Sequence, residues 1–204
     1  MFYSSLKRAL QSKFEDAYFG DDAVVMERNS RQFEQRIKTI NENAVVLCEY
    51  LKSRSLMDTD SKTMDLPMQA PGMQTANDTR VIKHVFYPKW TTRSNYDLCR
   101  NSSVLATKEP NFGGLFSLTF TSMAASEAFF NTLRCHKGPS LGTSFTLVCP
   151  YTLLAHYFEM DWAAKYGVEE GLVRVSVGTE DINQLMGWFT EAVKAAEYVA
   201  KQAR

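Results

Sequence analysis

Apolar residues recur every three or four positions early in the chain and every second position later, so the pattern predicts a helical entry followed by a strand-rich body. Leu6, Leu10 and Phe14 step by four and predict a helix within residues 2–19. In "RQFEQRIKTINENAVVLCEYLKSR", Phe33, Ile37, Ile40, Ala44, Leu47 and Leu51 share one face, with Asn29 or Ser30 placed to cap the start. From Ser53 to Thr79 the periodicity vanishes among Asp, Ser, Thr, Pro and Gly, which reads as an exposed, mobile loop.

Beyond it the period shortens to two. "VIKHVF" (81–86), "GLFSLTFT" (114–121), "TSFTLVC" (143–149) and "GLVRVSVG" (171–178) read as strands, while residues 123–134 and 151–166 read as helices. Thr179 is placed to cap a last helix carrying Ile182, Leu185, Met186, Phe189 and Val193 as its apolar stripe. Two helices, then strands mixed with helices, predict an α+β fold with a sheet covered on one face. No internal repeat is visible.

Composition adds bounds. A chain of 204 residues, 45% hydrophobic, suits a single domain, with two small ones as the alternative, and buries about 70% of its unfolded surface. The 23 basic and 23 acidic residues balance, so no overall field draws nucleic acid or an anionic membrane, and neither is expected as a partner. Cys48, Cys99, Cys135 and Cys149 form no CxxC pair, which favours free thiols in a reducing compartment. The opening residues lack a continuous apolar core and carry Glu15 and Asp16, unlike a signal or transit peptide. A cytoplasmic protein is expected.

The chemistry-bearing residues are few. Gly138-Pro139-Ser140-Leu141-Gly142 fits the serine-hydrolase pattern G-x-S-x-G. A nucleophile elbow needs a strand before the serine and a helix after it, and here the order is reversed. His84, His136 and His156 show no ligand spacing with one another or with the cysteines, so no metal is expected. No P-loop or dinucleotide fingerprint occurs. Arg174, mid-strand between Val173 and Val175, is more informative, because a guanidinium there is costly unless something meets it. It is either an edge-strand or salt-bridged arginine, with Glu180 or Asp181 as partner, or a planar fork for a ligand's carboxylate.

"SLGTSFTLVCP", followed by "LVRVSVGTEDINQL", resembles the C-terminal portion of the pyridoxal-phosphate-dependent Cys/Met-metabolism enzymes. "FYSSLKRAL", "MERNSRQFEQRI", "VFYPKW", "FGGLFSLTF" and "TLLAHYFEMDWAAKYGV" are similar to the fungal cystathionine γ-synthase branch. The resemblance implies the C-terminal small domain of fold-type I PLP transferases, a mostly antiparallel sheet covered by helices and preceded by linker helices. Residues 1–52 would join it to the large cofactor domain, 53–79 would be the loop, and 80–204 the substrate-carboxylate domain. It further implies that Arg174 binds the α-carboxylate of an amino-acid substrate, bordered by Ser140 and Leu141, with Gly142 letting the backbone come close. Ser140 then binds rather than attacks.

The implied reaction replaces the γ-substituent of a homoserine ester with cysteine. Pyridoxal 5′-phosphate serves the intact family as a Schiff base on the lysine of an S-x-[ST]-K motif, upstream of the segment matching Phe2 to Leu10. The nearest decoy, Leu105-Ala106-Thr107-Lys108, lacks the serine and lies well downstream. Covalent cofactor binding by this chain is therefore not expected, nor turnover by it alone. The alternative is a non-catalytic truncated paralogue that forms a homo- or hetero-oligomer with family members.

Overall fold

The computed structural model describes residues 2–56, 79–99 and 111–203, in two compact units, 1–35 and 36–204. In the first, α1 (Phe2–Lys13) and α2 (Gly20–Ser30) bury no side chain. Asp21 and Asp22 stand in the first turn of α2, where the positive end of the helix dipole favours them. Asn29 and Ser30, expected as caps of the next helix, are instead the end of α2, and the chain turns at Arg31 before α3 (Phe33–Ser53) begins.

The second unit holds the core. Ile40, Ala44, Leu47, Cys48 and Leu51 form the buried stripe of α3, whereas Phe33 and Ile37, read as part of that stripe, are exposed. The expected loop at 53–79 lies largely outside the described residues. After it come β1 (Ile82–Phe86), α4 (Arg93–Cys99), β2 (Leu115–Phe120), α5 (Met123–Thr132), β3 (His136–Lys137) and β4 (Leu147–Pro150). The single helix expected at 151–166 is broken: α6 (Tyr151–Ala155), a 3-10 turn (Tyr157–Glu159) and α7 (Met160–Ala164) follow one another. Its run of aromatic and β-branched residues holds a helix weakly, and His156 and Glu159 leave helical geometry. β5 (Val173–Ser176) and α8 (Ile182–Gln202) complete the fold.

The five strands make one sheet in the order β1-β2-β5-β4-β3, antiparallel except for the β3–β4 pair. The α+β expectation holds. Because side chains alternate across a strand, Phe116 and Leu118 of β2, Val148 of β4, and Val173 and Val175 of β5 fall on one face and are buried. α5 and α8 supply the cover, with the Phe129 ring 5.0 Å from Phe120 and 6.0 Å from Phe189, and Phe116 6.2 Å from Phe189. Fully burying one such ring is worth about 1.5–3 kcal/mol. Asp181, not Thr179, caps α8: its carboxylate accepts from the Asn183 and Gln184 amides. No described helix is long and apolar enough to cross a membrane.

Gly178, just past β5, is a close approach that no side chain fits. A Cβ there would meet the Phe145 carbonyl carbon at 2.4 Å and the Thr146 nitrogen at 2.5 Å, both main-chain atoms that cannot swing aside. Gly178→Ala is expected to destabilise the fold by about 1–3 kcal/mol, as overpacking does. A urea midpoint equal to that of the parent chain would contradict this. The thiols give a second check. Burial pushes Cys48 and Cys149 up and Cys135 up to about 12, while Cys99 is exposed. A thiol-specific chromophoric disulfide at pH 8 should therefore label Cys99 in the native chain and the other three only after denaturation. Rapid native labelling of three or four thiols would refute the placement.

Candidate carboxylate-binding site

The strand β5 decides where the site lies. It is the middle of the sheet, so both its edges are occupied: Arg174 stands opposite Ser117 of β2 and Cys149 of β4, and Ser176 opposite Leu115 and Leu147. The two-residue period that sends Val173 and Val175 into the core sends Arg174 and Ser176 to the other face. Arg174 is thus no edge-strand residue. Nor is it salt-bridged to the candidates in its own loop. Asp181 is committed to capping α8, and Glu180 accepts from the Thr146 amide at 2.6 Å and the Thr146 hydroxyl at 2.8 Å. Among the described residues no carboxylate pairs with Arg174.

Its half-buried guanidinium is held in other ways. Nη2 donates to the Pro139 carbonyl and, at 3.4 Å, to the Ser140 carbonyl. Cζ sits 5.2 Å from the centre of the Tyr151 ring. Across the β4–β5 pair stands Cys149: burial pushes its thiol's pKa up, and the charge of Arg174 pulls against the rise. Arg174 and the Ser140 turn, separated in sequence, are therefore adjacent. The contact with Ser140 uses its main-chain carbonyl, while the Ser140 side chain is exposed and Leu141 is 56% exposed.

The turn is pinned to β5 from within. Gly142 has φ of 75°, the left-handed region that favours glycine, and its N–H donates to Ser176 Oγ at 2.9 Å. Further on, the Thr179 amide and hydroxyl both donate to the Ser144 carbonyl at 2.8 Å, and the Gly178 amide donates to Thr146 Oγ1 at 2.9 Å. Asn43 of α3 donates from its side-chain amide to the carbonyls of Gly178 (3.2 Å) and Glu180 (2.9 Å). These bonds make one assembly of the loop before β4 and the loop after β5, the two segments that border Arg174. Asn43, Thr146 and Ser176 belong to it, and sequence reasoning singled out none of them, nor Tyr151 beside Arg174. The only hint was a polar residue on an otherwise apolar helix face, at Asn43.

The other candidates fall elsewhere. Ser140 lies in the connection between the parallel strands β3 and β4, so it is not on a strand-to-helix elbow. His84 stacks on Phe86 and burial pushes its pKa down, His136 meets Phe145 edge-on, and His156 Nδ1 lies 2.7 Å from Glu159. Among the described residues no group of three or more His, Cys, Asp or Glu is placed to hold a metal ion.

Three of the described lysines already have partners within the chain. Lys83 and Lys89 are engaged by Glu169 and Glu49, and Lys137 donates to the Phe130 carbonyl. None of these lysines lies in an S-x-[ST]-K context. Lys108 is outside the described residues.

A family model for Cys/Met metabolism PLP-dependent enzymes matches residues 7–194. The chain is 47% identical over 99% of its length to the cystathionine gamma-synthase-like enzyme iboG2 of Amanita muscaria, of which it covers 30%. It is 39% identical over 96% of its length to the cystathionine gamma-synthase of Neurospora crassa, covering 27% of that protein. The fold matches the cystathionine gamma synthase of Xanthomonas oryzae pv. oryzae, solved in complex with cystathionine. The TM-score is 0.60 at 22% identity, over 84% of this chain and 37% of that one. The chain thus spans about a third or less of the proteins it matches. With the sheet, the R-x-S-x-G strand and this match agreeing over nearly the whole length, the chain belongs to the Cys/Met-metabolism PLP-dependent enzymes, among cystathionine gamma-synthase-like proteins.

Proposed function

We propose that Arg174, framed by the Ser140-Leu141-Gly142 turn, receives the α-carboxylate of an amino-acid substrate in a cystathionine γ-synthase-type enzyme. The observation that carries this is a half-buried guanidinium in a central strand, with no described carboxylate to neutralise it. A charge held there is costly unless an anion completes the site. Nη2 is engaged by the turn, and the planar fork of arginine suits a carboxylate. The Ser140 hydroxyl and Leu141 amide would border that carboxylate, and neither acts as a nucleophile.

By kinship, the whole enzyme would replace the γ-substituent of a homoserine ester with cysteine in methionine biosynthesis, in the cytoplasm. Pyridoxal phosphate would supply the electron sink for that reaction. The residues described here would hold the substrate's acid end. Residues 1–52 would join them to the cofactor-binding part, and 80–204 would form the substrate-carboxylate domain. Alone, this stretch would bind substrate without turning it over. The second reading, a non-catalytic paralogue associating with a full-length relative, differs in its readout: co-purification with that relative and a change in the relative's rate.

L-cystathionine titrated into the chain, followed by calorimetry or ligand-observed NMR, tests the site. Arg174→Ala should weaken binding at least tenfold, the loss of a charge-assisted pair worth about 1.5–3 kcal/mol, and Arg174→Lys should fall between. Equal affinity in parent and Arg174→Ala would end the proposal. Pyridoxal phosphate followed by borohydride should leave no lysine stoichiometrically modified. A full adduct on one lysine, Lys108 included, would overturn the expectation that this stretch does not carry the cofactor.

A further inference from the structure

Tyr151 is built into the structure more firmly than a residue opening a five-residue helix needs to be. It follows Pro150, the last residue of β4, and its amide donates to the Leu172 carbonyl at 3.0 Å, tying its main chain to the entry of β5. The His156 ring stands against it at 5.5 Å and 69°, and His156 is itself fixed by Glu159 and by Trp162, whose ring lies 6.4 Å away. Arg174 Cζ stands over this ring at 5.2 Å from its centre, while Nη2 donates to the Pro139 carbonyl and, at 3.4 Å, to the Ser140 carbonyl.

An arginine side chain otherwise carries about 2 kcal/mol of rotamer freedom, which a ligand would have to remove on binding. A ring held by these neighbours limits that freedom in advance, and the attraction between cation and ring face favours the same pose.

We infer that Tyr151 is a positioning residue. Its ring fixes the plane of the Arg174 guanidinium, so that the edge not bonded to Pro139 is presented to a ligand carboxylate. The inference deepens the carboxylate reading of this site and rests on it for the ligand. The ring, not the phenol oxygen, does the work, so Tyr151→Phe should be nearly silent and Tyr151→Leu should not.

Two measurements on the full chain test this. The first is the Nε–H signal of Arg174 in a nitrogen-15 NMR spectrum, which needs no ligand. It should be displaced by the ring and slow to exchange in the parent and in Tyr151→Phe, and should shift and exchange at least threefold faster in Tyr151→Leu. The second is L-cystathionine affinity, expected within twofold of the parent for Tyr151→Phe and about three- to tenfold weaker for Tyr151→Leu. Tyr151→Leu with an unmoved Arg174 signal and parental affinity would overturn the inference. If Arg174→Ala loses binding while Tyr151→Leu does not, the carboxylate reading stands and the role of Tyr151 falls. If Arg174→Ala binds like the parent, the carboxylate reading falls, and the Arg174 signal alone decides whether Tyr151 orders the side chain.

Discussion

The structure depends on one constraint: β5 is hydrogen-bonded on both edges, so its side chains have only two directions to point. In "VRVS" the valines take the face packed by α5 and α8, and the arginine and serine must take the other. A slip of one residue would bury a guanidinium among phenylalanines and take two valines out of the core face, which the hydrophobic term opposes. The position of Arg174 is therefore a by-product of core formation. The protein needs no separate device to aim it, only devices to shape what surrounds it.

Those devices are main-chain hydrogen bonds made by small polar side chains. Ser176, on the same strand face as Arg174, accepts from Gly142 and sets the distance of the turn. Thr146 donates from its amide and its hydroxyl to the Glu180 carboxylate across the base of the two loops, and Asn43 reaches in from α3 to hold two carbonyls there. The loops around the guanidinium are consequently tied together by satisfied polar groups as well as by the close approach at Gly178.

How much was legible follows from the same physics. Strand alternation in "LFSLTF" and "VRVS", and the stripe of α8, survive in the fold because each faces one large apolar surface. The adjacency of Arg174 and the Ser140 turn was legible only through the resemblance to the family and not from the residues alone. What failed was local chemistry decided by tertiary partners. Thr179 could have capped α8, but its hydroxyl is drawn to Ser144, and Asp181 caps instead. Phe33 and Ile37 keep the helical period of α3 yet remain exposed, because periodicity marks a face without saying what covers it. Tyr151 was read only as the start of a helix, since nothing in a sequence distinguishes a ring packed under leucines from one packed under an arginine.

The sheet order carries a kinetic consequence. β2, β4 and β5 are neighbours in space but distant along the chain, and β5 joins the other two last in sequence. Contacts of such separation form late in folding, after loop-closure entropy has been overcome. The guanidinium stands on β5 while its turn and its ring flank β4, so the arrangement around Arg174 is complete only once those two strands have paired. Loss of the β4–β5 pairing would therefore separate Arg174 from both its turn and its ring at once.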